Sequence, residues 1–216
     1  MPNRVPRYWL PLLLTVVAYA LWATPLLFPL RMLVVFLHEL SHGLAAILTG
    51  GRIVRIELSA AEGGLCVTQG GWRFVVLSAG YLGSLAWGVA LLFGGARRRG
   101  HSALLAGVGL LLLGVTLVYV RSAFGFVYGV LTGTALLLAG RKLPQAASQV
   151  LLTMLGVVSC LYAVWDIASD TLLRQIPASD ASALGHLTGI PGPVWGVVWI
   201  TLAVATTVWA LRSAWR

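Results

Sequence analysis

Long runs of apolar residues, separated by short polar or basic breaks, dominate the chain. At roughly 20 residues per membrane-spanning helix, these runs predict seven candidate spans. The predicted spans are Trp9 to Leu30, Met32 to Leu48, Phe74 to Phe93, Ser102 to Val120, Ala123 to Gly140, Gln149 to Leu173 and Val194 to Leu211. The fourth and fifth are separated only by "RS", so one longer helix is the alternative there. We therefore expect an all-α polytopic membrane protein, a bundle of six to seven transmembrane helices.

The segment between the second and third spans has a different pattern. "RIVRIELS" alternates and is rich in β-branched residues, "AEGG" favours a turn, and "LCVTQGGW" follows. This pattern predicts a short β-hairpin from Arg52 to Trp72, located at the membrane surface. Lipid cannot satisfy backbone amides, so those of the hairpin are expected to be paired or hydrated.

The composition supports a membrane protein. Of the 216 residues, 59% are hydrophobic and 10% are charged, and the mean hydropathy is +0.90, outside the range of soluble domains. We expect one integral membrane domain over residues 1–216, multi-pass, in the plasma membrane of a prokaryote. The first apolar run continues to Leu30, which favours a retained helix over a cleaved signal peptide.

The net charge of +9 comes mostly from arginines at the ends of apolar runs. They indicate contacts with the lipid bilayer rather than with nucleic acid.

Three ionisable residues interrupt the second span, in "HELSH". His38 and His42 are four apart and share a helix face, while Glu39 is displaced by about 100°. Burying such groups in lipid is costly unless they are paired or bound to a metal. The H-E-x-x-H spacing predicts one Zn²⁺ per chain, held by His38 and His42, with Glu39 as the base that activates a water molecule. The alternative is that both histidines bond to neighbouring helices and Glu39 forms an ion pair.

A zinc hydrolase needs a third protein ligand, and the chain offers few candidates. Outside the motif, the acidic residues and histidines are Glu57, Glu62, His101, Asp166, Asp170, Asp180 and His186. Glu57 and Glu62 lie in the predicted hairpin, and His101 follows an arginine cluster at the expected interface. Ser179 and Asp180 have the pattern of a helix N-cap and a first-turn acid, a structural role. His186 is expected on that same short helix.

Asp166 and Asp170 remain, four residues apart near the end of the sixth span. Asp166 is flanked by apolar residues, so it needs a cation more than Asp170 does. We predict Asp166 as the third metal ligand, with Asp170 as a supporting residue or alternative ligand. Pairing of either aspartate with Arg121 or Arg174 is the competing interpretation.

With these residues in place, the chain resembles the site-2-protease class of intramembrane zinc metallopeptidases, and most closely its compact branch of peptidase M50B-like membrane proteins. The stretches that carry the resemblance are "HELSHGLAAILTGG", "EGGLCVTQGG", "LSAGYLGSLAWG", "LYAVWDIASDTL" and "SDA". The resemblance implies a zinc ion on His38, His42 and an aspartate of a later helix, which is Asp166 here, with Glu39 activating water. It also implies cleavage of a peptide bond within a transmembrane protein substrate, which the hairpin would bind as an added strand.

Two other functions compete with an intramembrane zinc endopeptidase. A non-proteolytic zinc-binding scaffold or binding protein would retain the metal site, but it would have no need of Glu39 as a base. A transporter would use histidine and aspartate as a proton relay, and it would be expected to show repeated halves. The chain shows no internal repeat, so the endopeptidase is favoured. No pattern in the chain predicts an oligomeric state.

Overall fold

The computed structural model describes residues 9–173 and 179–215, which form a helical bundle with one β-hairpin. The elements are α1 (Trp9–Ala20), α2 (Phe28–Leu48), β1 (Arg52–Ser59), β2 (Gly63–Gln69), α3 (Arg73–Ala96), α4 (His101–Tyr119), α5 (Ala123–Lys142), α6 (Gln145–Ala168), α7 (Asp180–Thr188) and α8 (Gly192–Ala214). A 3₁₀ turn, Pro25–Leu27, precedes α2, and a π-helical turn, Ser169–Leu173, extends α6.

Within the described residues, six helices are long and apolar enough to cross a membrane. These spans are Pro25–Leu48, Arg73–Ala96, His101–Tyr119, Ala123–Lys142, Gln145–Leu173 and Gly192–Ala214. The predicted all-α membrane bundle with a hairpin is therefore confirmed. The predicted break between the fourth and fifth spans is confirmed too, because Val120 and Ser122 have extended backbones between α4 and α5.

The first predicted span, Trp9 to Leu30, needs correction. Helix α1 ends at Ala20 and has 12 residues, about 18 Å at 1.5 Å per residue, which is shorter than a bilayer core. Thr24 is extended because it precedes Pro25, and a residue before proline avoids the helical conformation. The helix that spans therefore begins only at Pro25. Hydropathy joined the two segments because it does not register this break.

Small residues bring α2, α3 and α6 into close contact. Gly88 of α3 lies against Cys160 of α6, and Gly95 lies against Thr153, so these two helices are antiparallel. Gly83 of α3 lies against Ser41 of α2, and α2 also runs antiparallel to α3. Close approach at small residues is how helices pack in lipid. Helices α2 and α6 consequently run in the same direction and face the same part of α3.

The predicted hairpin is confirmed, with antiparallel pairing from Arg52↔Gln69 to Ser59↔Gly63. Its position differs from the expectation of a membrane-surface element, because it runs back along α2. Gly43 contacts Ile53 in the first part of β1, whereas Glu62 at the turn reaches Arg31, near the start of α2.

The reversal of the chain after α2 explains this position. Gly50, with φ +88°, follows the helix end and turns the backbone onto α2. The linker between α4 and α5 then bonds to β1: the Arg121 amide donates to the Ile56 carbonyl, and the Leu58 amide donates to the Ser122 hydroxyl. These bonds, with the strand pairing, satisfy backbone groups that lipid would leave unpaired.

Candidate metal centre

Helix α2 presents His38, Glu39 and His42 in the middle of the bundle. The two imidazole rings are edge to face, with their centroids 4.9 Å apart. The Nε2 atom of each histidine lies 3.1 Å from Asp180 Oδ2. His38, His42 and Asp180 thus form a group whose ligand atoms all lie within 4.8 Å of one another, close enough to hold one metal ion.

Asp180 reaches the histidines from the first turn of α7. Ser179 caps this helix, and its hydroxyl accepts a hydrogen bond from the Ser182 amide, as the sequence predicts. Burial opposes ionisation of the Asp180 carboxyl, but the adjacent His42 and His38 outweigh it and hold the pKa of this carboxyl well below its usual range. Asp180 is therefore an ionised group that faces both histidines, a role beyond the one predicted for it in the first turn of α7.

The ring of His42 is held by a backbone carbonyl of α3. His42 Nδ1 lies 2.7 Å from the Val76 carbonyl oxygen. A carbonyl can only accept, so Nδ1 carries the proton and donates it. With Nδ1 committed to this carbonyl, Nε2 is the nitrogen of His42 that faces Asp180 and is available to a metal ion.

Gly80 of α3 forms the wall of the site behind the two histidines. A methyl group at this position would collide with Nε2 of both His38 and His42. The absence of a side chain here keeps open the space in which the two nitrogens converge. This is a cradle for a small ion, and the donor set of two imidazoles and a carboxylate is one that zinc prefers.

Asp166 lies on the other side of the His38 ring. Its Oδ2 atom is 3.6 Å from His38 Nδ1, whereas Asp180 faces Nε2. The structure therefore brings Asp166 to His38, but it places Asp180 at the convergence of both histidines. The assignment of Asp166 as the third ligand stays a prediction.

Asp170 contacts the site through a tyrosine. The Tyr81 hydroxyl donates to Asp170 Oδ2 at 3.0 Å, and the Tyr81 ring packs edge to face on His38 with centroids 5.3 Å apart. The predicted alternative partner Arg121 instead donates to the carbonyls of Val118 and Val120. The other alternative partner, Arg174, lies outside the described residues.

Glu39 lies beneath strand β2 and is 7% exposed. Gly64 packs directly on its carboxylate, so that a methyl group at that position would collide with it. The backbone of Cys66 forms a hydrogen bond with the same carboxylate. Burial, together with the neighbouring Glu39, raises the pKa of the Cys66 thiol to about 12, so the thiol stays protonated at neutral pH. Strand β2 thus both covers and orients Glu39.

A cavity of about 1400 Å³ opens onto these side chains. It is bordered by α2, β2, α3, the end of α6 and the start of α7, and it has aromatic residues in its wall. The aromatic lining residues are Trp22, Tyr81, Tyr162 and Trp165. The cavity exceeds the size of about 300–1,000 Å³ that is usual for small-molecule sites.

The family model described as Peptidase M50B-like matches residues 12–210. The chain belongs to this family. Membership agrees with the site-2-protease class and, together with six candidate membrane spans, indicates a multi-pass intramembrane protease. It also implies zinc, for which His38, His42 and Asp180 are a fitting group. No curated protein and no solved structure matches the chain.

Asp180 is the residue of this group that sequence reasoning assigned elsewhere. Its local pattern, an acid directly after an N-cap serine, predicts a structural role, and that pattern says nothing about a contact 142 positions away. One signal was available: the short stretch "SDA" belongs to the segments that carry the family resemblance.

Proposed function

We propose that this protein is an intramembrane zinc-dependent endopeptidase that hydrolyses peptide bonds of membrane-embedded substrates. The observation that carries the proposal is the convergence of His38, His42 and Asp180 beside a buried Glu39, inside a bundle of membrane spans. Membership in a peptidase family supports it. A binding protein would need the metal ligands alone, whereas this site also retains a base.

In this proposal, His38 Nε2, His42 Nε2 and Asp180 Oδ2 hold one zinc ion per chain. Three protein ligands leave a position for water or substrate, which is the composition of a catalytic zinc site. Asp180 is preferred to Asp166 as the third ligand because its oxygen lies 3.1 Å from both Nε2 atoms. Asp166 lies nearer to the opposite nitrogen of His38.

The chemistry follows from these positions. A bound zinc ion would supply the Lewis acidity that makes water nucleophilic at neutral pH and polarises the substrate carbonyl. Glu39 accepts a proton from the attacking water as the water oxygen bonds to the carbonyl carbon. Glu39 then gives this proton to the departing amine as the carbon–nitrogen bond breaks. The products are a carboxyl terminus and an amino terminus, and Glu39 returns to its starting state.

The hairpin is the proposed substrate-binding element. Strand β2 pairs with β1 along one edge, and its residues from Gly63 to Thr68 line the cavity. An unwound segment of a transmembrane substrate would pair with β2 as an additional strand, which would present an extended peptide bond next to Glu39. The cavity volume fits a stretch of polypeptide better than a small molecule.

The test is zinc content and cleavage of transmembrane reporter peptides by the protein in detergent, comparing wild type with Glu39→Gln. We expect zinc near one per chain in both, and a loss of cleavage of about 10²–10⁴-fold in Glu39→Gln, the contribution of a general base. Glu57→Gln is the matched control, because Glu57 is partly exposed and paired with Arg55. Zinc without cleavage of any reporter would favour the non-proteolytic scaffold. Cleavage by Glu39→Gln at the wild-type rate would refute the proposed mechanism.

A further inference from the structure

We propose that Asp166 is a positioning residue, whose carboxylate accepts a hydrogen bond from Nδ1–H of His38 and so aims His38 Nε2 at the metal. The proposal rests on the proposed function, because it assigns a role within the same zinc site. It differs from the role that the sequence predicts for Asp166, which is direct ligation.

The first argument is the geometry of the His38 ring. Nε2 lies 3.1 Å from Asp180 Oδ2, and Nδ1 lies 3.6 Å from Asp166 Oδ2. The carboxylates of Asp166 and Asp180 therefore face different nitrogens of the same imidazole ring. A neutral imidazole that ligates a metal through Nε2 carries its proton on Nδ1. That N–H is the group that faces Asp166.

The second argument is the parallel with His42. Its Nδ1 donates to the Val76 carbonyl at 2.7 Å, so its Nε2 is committed to the site. Metal-ligating histidines regularly donate their other N–H to a carbonyl or a carboxylate. In this site His42 uses a carbonyl of α3, and Asp166 provides His38 with a carboxylate of α6. A closure by about 0.7 Å would bring the His38 pair to ordinary hydrogen-bond length.

The third argument is that α6 supports His38 from two directions. Asp166 faces Nδ1 directly. One turn later, Asp170 accepts a hydrogen bond from Tyr81, whose ring packs against His38. Both aspartates therefore act on the orientation of the His38 ring. This gives a physical reason for two acids, spaced four apart, on a membrane-spanning helix.

The experiment compares zinc dissociation constants, measured by chelator competition, for wild type, Asp166→Asn, Asp166→Ala and Asp180→Asn. Loss of an orienting carboxylate is expected to weaken zinc binding about 10–100-fold, so we expect this from Asp166→Ala. Asp166→Asn should recover part of the affinity, since its amide oxygen still accepts a hydrogen bond. Asp180→Asn should weaken binding more than either.

The absorption spectrum of the cobalt-substituted protein separates positioning from ligation. Both Asp166 variants should keep the wild-type band positions because the ligand set is unchanged, whereas Asp180→Asn should shift them. A shifted spectrum in Asp166→Asn with a wild-type spectrum in Asp180→Asn would identify Asp166 as the ligand and overturn the proposal. Wild-type zinc affinity in both Asp166 variants would also overturn it. Failure of the wild type itself to bind zinc would refute the proposed function instead.

Discussion

Helix α2 and the α4–α5 pair show two different uses of a membrane-spanning helix. The most apolar 18-residue stretch of the α2 span has 72% of its residues buried inside the protein, and the span has a mean hydropathy of 1.4. For α4 the buried share of the corresponding stretch is 28%, and the mean hydropathy is 2.2. In water the more apolar helix would be expected inside. In lipid, apolar side chains gain little from leaving the tails, and ionisable groups must turn inward. The least apolar of these helices therefore forms the centre, and the most apolar one faces lipid.

Glycines also serve different purposes in the two regions. In the α4–α5 pair, Gly109 and Gly133 bring one helix backbone against the other. The only charged residue between Ser102 and Gly140 is Arg121, in the linker. Beside α2, by contrast, Gly80 and Gly64 make room for the polar ends of the histidines and of Glu39. In the α4–α5 pair glycine allows close helix packing, whereas beside α2 it leaves space for the side chains of the site.

The largest effect is expected from Gly80→Ala. The added methyl group would collide with Nε2 of both His38 and His42, so both nitrogens must shift from their converging positions or α3 must move away. We expect zinc affinity to fall by about 100-fold or more, comparable to the loss of a supporting interaction or greater, and cleavage to fall with it. Zinc affinity is measured by chelator competition. Gly114→Ala on α4 is the control, because a methyl group there meets open space.

A smaller effect, confined to the chemical step, is expected from Gly64→Ala. The three atoms nearest to the added methyl group all belong to the Glu39 side chain, so its carboxylate would be displaced. Cleavage of the reporter should fall about 10²-fold, within the contribution of a general base, while zinc content stays at the wild-type level. Gly107→Ala on α4, away from the cavity, is the matched control, since a methyl group there meets open space. If Gly64→Ala lost zinc to the same extent as it lost cleavage, the separate positions assigned to the base and to the metal ligands would be contradicted.

The smallest effect on the site is expected from Gly133→Ala. Its methyl group would collide with Leu113 and approach the Gly109 carbonyl, which forces α4 and α5 apart. Overpacking of this kind costs about 1–3 kcal/mol, which thermal unfolding in detergent would detect as a lower midpoint. Zinc affinity in the folded protein should not change. A change in zinc affinity without a change in stability would show that the two regions are coupled more closely than the packing indicates.

The parts of the site that the sequence predicts are those set by local geometry. The four-residue spacing of His38 and His42 places both on one helix face whatever the tertiary fold, and the alternation after Gly51 predicts the hairpin. The role of Asp180 depends on a contact with His38 across 142 positions of the chain, which local geometry does not predict. The local pattern around Asp180 is already explained by the cap of a short helix. The position of the hairpin along α2 likewise depends on a chain reversal at Gly50, which hydropathy does not record.

The break before Pro25 shows the same limit on a smaller scale. Apolar residues continue through it, so the pattern joins α1 to the start of α2. The backbone constraint of Pro25, which holds Thr24 extended, prevents the two helices from joining. Side-chain pattern thus predicts which segments are apolar, and backbone geometry decides where each helix ends.

X-ray absorption at the zinc edge tests the central claim most directly, because it counts the atoms bound to the metal in the purified protein. We expect a low-coordinate site with two imidazole nitrogens and oxygen ligands at about 2.0–2.2 Å, present in wild type and in Glu39→Gln, and with one imidazole lost in His42→Ala. A sulfur neighbour at about 2.3 Å, the distance of a cysteine ligand, would contradict the account. So would a zinc site that is unchanged in His42→Ala.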